Sequence, residues 1–182
     1  MKRLLILIVL VLTGCGDREP EQAATKQNLI REINRSGTIT DRQAESLGKA
    51  EAWLYLNGLI TITDKQAESL SKALRLQLNG LTSITDQQAE SLSKVKFLHL
   101  DGLTSITNEQ AESLSKVEDF LDLGGLTSIT DEQAESLSKV KGHLLLVGLT
   151  SITDEQAESL SKVGHLKISE DFQPLIEKYK KP

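Results

Sequence analysis

The segment Leu98-His99-Leu100-Asp101-Gly102-Leu103-Thr104-Ser105-Ile106-Thr107-Asn108-Glu109-Gln110-Ala111-Glu112-Ser113-Leu114-Ser115-Lys116-Val117 carries two hydrophobic periods in succession. Leu98 and Leu100 alternate with His99 and Asp101, after which Ala111, Leu114 and Val117 recur at three-residue spacing. Alternation places every second side chain on one face of a strand, and a period near 3.6 places apolar groups on one side of a helix. The segment therefore predicts a short strand followed by a short helix, with Leu98, Leu100, Ala111, Leu114 and Val117 facing a common core.

Outward from this unit the pattern repeats in both directions. Gly58, Gly80, Gly102, Gly125 and Gly148 each precede a leucine and are spaced 22, 22, 23 and 23 residues apart. A strand-helix unit of this size cannot bury its own apolar face, so neighbours must stack on one another. The prediction is an α/β solenoid over residues 36–169, with a parallel sheet on one side and short helices on the other. Four apolar columns follow: Leu54, Leu76, Leu98, Leu121, Leu144 and Leu166; Leu56, Leu78, Leu100, Leu123, Leu146 and Ile168; Ile39, Ile62, Ile84, Ile106, Ile129 and Ile152; and Leu47, Leu70, Leu92, Leu114, Leu137 and Leu160.

Each helix start is written in nearly the same letters. Thr40, Thr63, Thr85, Thr107, Thr130 and Thr153 stand where an N-cap hydroxyl accepts from an exposed amide, and Gln43, Gln66, Gln88, Gln110, Gln133 and Gln156 follow three residues later, completing a capping box. Asp41, Asp64, Asp86, Asp131 and Asp154 add negative charge at the positive end of each helix dipole, with Asn108 as the departure.

The block Leu-x-Leu-x-Gly-Leu-x-x-Ile-Thr-Asp-x-x-Ala-x-x-Leu resembles leucine-rich repeats, closest to their cysteine-containing subtype, and looks like arrays found in bacterial lipoproteins. In one place it departs from that family. Where such repeats carry an Asn or Cys that hydrogen-bonds neighbouring turns, this chain has Leu59, Leu81, Leu103, Leu126 and Leu149, so its turns are expected to rely on packing.

Both flanks of the array read differently. Lys2 and Arg3 precede the apolar run Leu4–Leu12, the layout of an export signal, and the run is about half of the roughly 20 residues a spanning helix needs. Leu12-Thr13-Gly14-Cys15 then resembles the lipobox of bacterial lipoproteins. That resemblance implies a signal peptide at 1–14, lipidation of Cys15 and anchoring by its acyl chains. Gly16 in place of an aspartate favours the outer membrane in a host with two membranes. Residues 15–25 are polar and read as a tether, with a capping segment at 26–35, part of a helical pattern from Ala23 to Asn34 that puts Leu29, Ile30 and Ile33 on one face. At the other end, residues 170–182 read as a capping helix and basic tail, with Phe172, Leu175, Ile176 and Tyr179 at helical spacing and Pro174 near the start.

Composition narrows the function. Net charge is -5, and loss of Lys2 and Arg3 with the signal takes it to -7, the wrong sign for neutralising phosphates; nucleic acid is set aside. The chain has one cysteine, so the array must stand without an internal disulfide.

While the helix segments are near copies, the outward strand positions change from unit to unit: Trp53, Tyr55 and Asn57; Arg75, Gln77 and Asn79; Phe97, His99 and Asp101; Phe120, Asp122 and Gly124; His143, Leu145 and Val147; His165, Lys167 and Ser169. All three histidines and four of the six aromatic residues fall there. Strands in one sheet lie about 4.8 Å apart, so Trp53, Arg75, Phe97 and Phe120 should form a ladder with Arg75 between aromatic faces. Trp53, Tyr55, Arg75, Gln77, Phe97, His99, Phe120, Asp122, His143 and His165 are the candidate contact residues for a protein or peptide partner. Cross-strand pairing alone would give the same ladder a purely stabilising role, as in a spacer.

Other chemistries find less support. His99 and Asp122 are spaced as a base and its orienter, but no serine or cysteine nucleophile accompanies them in this register, so an envelope hydrolase is the weakest reading. His143 and His165 would supply two metal ligands where zinc wants three or four. The repeated aspartates are accounted for by helix ends rather than calcium, and no phosphate-cradling or nucleophile motif is present. No catalytic residue, cofactor or metal is assigned.

Overall fold

The structure is a computed structural model and describes residues 20–49 and 53–180; Cys15 and the signal segment lie outside the described residues. An N-terminal helix α1 (Pro20–Ser36) leads into α2 (Asp41–Gly48) and then into strictly alternating strands and helices. These are β1 (Trp53–Tyr55), α3 (Asp64–Leu70), β2 (Arg75–Gln77), α4 (Asp86–Leu92), β3 (Phe97–His99), α5 (Asn108–Leu114), β4 (Phe120–Asp122), α6 (Asp131–Leu137), β5 (His143–Leu146), α7 (Asp154–Leu160) and β6 (His165–Ile168). A 3-10 turn (Glu170–Phe172) and α8 (Gln173–Tyr179) close the described chain.

The six strands form one open parallel sheet in chain order, so the protein is an α/β solenoid. Leu54, Leu76, Leu98, Leu121, Leu144 and Leu166 are aligned across all five strand pairings. The expected columns are buried, apart from Ile84, Ile152 and Leu166, which are partly buried against the core. Full burial of one leucine is worth roughly 1.5–3 kcal/mol before conformational entropy is subtracted. Leu59, Leu81, Leu103, Leu126 and Leu149 make a further buried column.

Polar joints between units exist nonetheless, at the helix starts. All six capping boxes form, with each threonine side chain accepting from the Gln amide and each Gln side chain accepting from the Thr amide. The other end of the glutamine side chain reaches the preceding unit. Gln66 Nε2 donates to the Ile39 carbonyl at 2.9 Å, Gln88 to Ile62 at 2.9 Å, Gln110 to Ile84 at 2.8 Å, Gln133 to Ile106 at 2.7 Å and Gln156 to Ile129 at 2.9 Å. These glutamines are buried, so each spans two backbone groups that would otherwise be unpaired away from water. The helix-start aspartates also act on the next unit. Thr85 donates its hydroxyl to Asp64, Thr107 to Asp86 and Thr153 to Asp131, while Asn108 takes the same place for Thr130.

The helices are shorter than the three-residue spacing suggests. Val117 is 1 % exposed but lies beyond α5, because Ser115 caps that helix and its hydroxyl donates to the Glu112 carbonyl at 2.7 Å. Ser71, Ser93, Ser138 and Ser161 make the equivalent bond. The valine is thus a buried turn residue rather than a helical one.

Two units are longer by one residue, and the addition is absorbed between helix and strand, at Glu118-Asp119 and Lys141-Gly142. The amides of Asp119 and Phe120 both donate to the Lys96 carbonyl, at 3.2 and 3.0 Å, and the His143 amide donates to the Asp119 carbonyl at 2.9 Å. Register across the sheet is thereby kept. Close stacking also dictates the repeated glycine: a Cβ at Gly102 would collide with the Asn79 carbonyl oxygen of the unit before.

Both ends are covered. Helix α1 starts at Pro20, earlier than Ala23 and inside the stretch read as a tether, and ends at Ser36, with Gly37 following at φ of 73°. Ile30 and Ile33 are buried, and Asn34 fastens the helix to the first strand unit by donating to the Tyr55 carbonyl and accepting from the Gly58 amide, both at 2.8 Å. At the far end Ile176 is buried and Phe172, Leu175 and Tyr179 pack against the core. The Tyr179 hydroxyl and Lys178 reach Asp154 at 2.8 and 3.1 Å and hold its carboxyl below the usual carboxylate range.

Candidate functional site

The alternation that buries Leu54, Leu76, Leu98 and Leu121 turns their neighbours outward, and ten residues singled out from the sequence share this one face of the sheet. Trp53 and Tyr55 on β1 are open rings, at 54 % and 41 % exposure. Arg75, Gln77, Phe97, His99, Phe120 and Asp122 are half-buried, and His143 and His165 are exposed.

The ladder forms over its first three rungs. Cα register pairs Trp53 with Arg75 and Arg75 with Phe97. The Arg75 guanidinium lies over the Trp53 ring at 4.8 Å and over the Phe97 ring at 5.0 Å, so the cation sits between two π faces. Its Nε is withdrawn from solvent without a hydrogen-bond partner.

At the fourth rung the ladder leans sideways. Phe120 is in register with Phe97, yet its ring packs against His99 in the next column at 4.8 Å and against His143 at 6.2 Å. His143 and His165 then stack at 4.5 Å with planes 16° apart. Among the described residues no group of three or more His, Cys, Asp or Glu side chains is arranged to hold a metal ion.

A polar cluster fills the middle of the face. His99 Nδ1 lies 3.4 Å from Asp122 Oδ2, and Asn79 Nδ2 donates to Asp101 Oδ2 at 2.6 Å. Burial, followed by the facing carboxyl of Asp122, pushes the Asp101 carboxyl up to about 6. Burial works against the charge of Asp122 as well, but His99, Asp101 and the Gly124 amide outweigh it and hold that carboxyl below its ordinary value. The pair therefore retains one proton between two carboxyls at mildly acidic pH. Asp101 belongs to no strand and follows β3 by two residues; alternation places it outward, but reading along single columns does not pair it with Asp122, which sits diagonally on the next rung. Asn79 Oδ1, His99 Nε2 and Asp101 Oδ1 are withdrawn from solvent and unpartnered within the protein. For His99 this means that the nitrogen a general base would use is enclosed rather than presented.

The arrangement is a strip of rings and one sandwiched cation beside a titrating acidic-amide cluster, along an open sheet. Strips of this kind suit an extended ligand that crosses the strands. No helix among the described residues is long and apolar enough to cross a membrane. Compared with known protein families, curated proteins and solved structures, the chain shows no match.

Proposed function

We propose that the chain is an exported, leucine-rich-repeat lipoprotein that binds a protein or peptide of the cell envelope through its sheet face, without cofactor or catalysis. The observation that carries this reading is the contrast within each unit. The helix side repeats Gln-Ala-Glu-Ser-Leu unchanged, whereas no two rungs carry the same set of outward strand residues, although the first column repeats phenylalanine at Phe97 and Phe120 and histidine at His143 and His165, and the face collects Trp53, Tyr55, Arg75, Phe97 and Phe120. Aromatic and Arg side chains supply large, stiff contact area at low entropic cost, which is why they dominate binding hot spots.

A photo-crosslinking residue placed at Gln77 and, separately, at Glu112 on the helix side tests the reading in cells. Adducts are expected from the sheet position alone, and Trp53→Ala combined with Phe97→Ala should remove them while circular dichroism stays unchanged. Equal adducts from both sides, or none from either, would favour a spacer. The lipoprotein half rests on Leu12-Thr13-Gly14-Cys15 and predicts that Cys15→Ser moves the protein into the soluble fraction. A variant that still sediments with membranes refutes it.

A further inference from the structure

We infer that Arg75 is a receptor for a single carboxylate, and that the partner segment lying on the sheet presents an aspartate or glutamate side chain to it. This assignment rests on the sheet face being the binding side. It names the chemistry that face selects.

The argument begins with what Arg75 lacks. Held between Trp53 and Phe97, its guanidinium has a fixed plane, and Nε is enclosed. No carboxylate pairs with it among the described residues, because the acids that share its face are engaged elsewhere. Asp101 accepts from Asn79, and Asp122 lies against His99. The remaining donors, Nη1 and Nη2, are not among the enclosed unpartnered atoms and make no hydrogen bond among the described residues, which leaves the planar end of a half-buried guanidinium free to pair. A planar fork matches a carboxylate, and stacking removes the rotamer freedom that normally weakens a surface arginine's ion pair.

Charge then selects among anions. Asp101 and Asp122 occupy the next two rungs and already resist carrying two charges together. The chain as a whole is acidic, with a net charge of -5, and this weighs more heavily against a dianionic phosphate than against a monoanion. Exposed rings of Trp53 and Tyr55 beside the fork offer apolar contact to residues flanking the acid, which favours a carboxylate carried by a protein segment over a free small anion.

The test uses the folded protein with two acetylated, amidated heptapeptides of valine and threonine that differ only in a central Glu or Gln, and inorganic phosphate as a third probe. Trp53 is the single tryptophan and touches Arg75, so its fluorescence reports occupancy. The Glu peptide is expected to bind about tenfold more tightly than the Gln peptide, since a hydrogen bond to a charged group is worth more than a neutral one. Arg75→Gln should erase that preference, and Arg75→Lys should keep only part of it, with melting temperatures within about 4 °C of the parent. Equal affinity for the two peptides, absence of binding by both, a preference that survives Arg75→Gln, or tighter binding of phosphate each overturns the assignment. Sheet-side crosslinking in cells that persists at full yield in the Arg75→Gln protein would keep the binding face and remove the carboxylate receptor, so the two ideas fail separately.

Discussion

The helix side and the sheet side of this solenoid are made by the same six units yet obey different rules. On the helix side the joint residues answer to their neighbours above and below: Gln110 must cap its own helix and reach the Ile84 carbonyl, and Thr107 must accept from Gln110 and donate to Asp86. A change at either of these positions breaks a joint as well as a helix end. On the sheet side an outward residue leans on adjacent rungs only through its side chain, as Arg75 does between Trp53 and Phe97, and the backbone pairing does not depend on it. Constraint on one side and freedom on the other is what lets a repeat array hold its shape while varying what it displays.

Substitutions can break or sharpen this division. The largest effect is expected where both sides share the core: Leu100→Asp places an unpaired charge at a fully buried position and should cost about 5 kcal/mol or more, read as loss of the cooperative melting transition. An unchanged melt would mean that the register is wrong. Next comes the joint itself. Gln110→Ala should cost about 2–3 kcal/mol, and Gln43→Ala, at the first unit, where the bond to a preceding isoleucine carbonyl has no counterpart, only about 1 kcal/mol, by urea denaturation. Equal costs would show that the inter-unit bond adds nothing.

A smaller effect is expected from the acidic pair on the sheet. Because the Asp101 carboxyl is raised from 3.8 to about 6 in the folded protein, the native state binds more protons than the unfolded chain between those values, and stability should fall as pH rises through that window. The contribution is on the order of 1 kcal/mol after solvent screening of a half-exposed group. Asp101→Asn should flatten the slope, which thermal melts at pH 4, 5, 6 and 7 would register; a slope that persists in the variant would place its origin elsewhere. Smallest of all, His143→Ala ends the stack on His165 at an exposed position and should change stability by less than about 0.5 kcal/mol.

The fold was legible because repetition converts one ambiguous unit into aligned columns. Leu76, Leu98 and Leu121 needed only spacing to be placed together, and the Thr-x-x-Gln pairs marked six helix starts. Helix ends were less legible: Val117 continues the three-residue spacing although Ser115 has already closed the helix, since a turn can carry an apolar side chain to the same core. The glutamine joint could not be read at all. Its acceptor is a backbone carbonyl 26 or 27 residues upstream, and a backbone oxygen leaves no letter behind. On the sheet, the sandwich of Arg75 followed from column order, but the lean of Phe120 toward His99 and the meeting of Asp101 with Asp122 cross columns and depend on side-chain directions.

Since the glutamine amide meets main-chain oxygen and the threonine-to-acid bond beside it uses the same positions in successive units, neighbouring units dock through one shared set of contacts. Excising or duplicating one whole unit is therefore expected to leave a sound splice, as swapping cards in a deck leaves a deck. Length is then a quantity that replication slippage can adjust, and the order of displayed rungs can be reshuffled without redesigning what holds them.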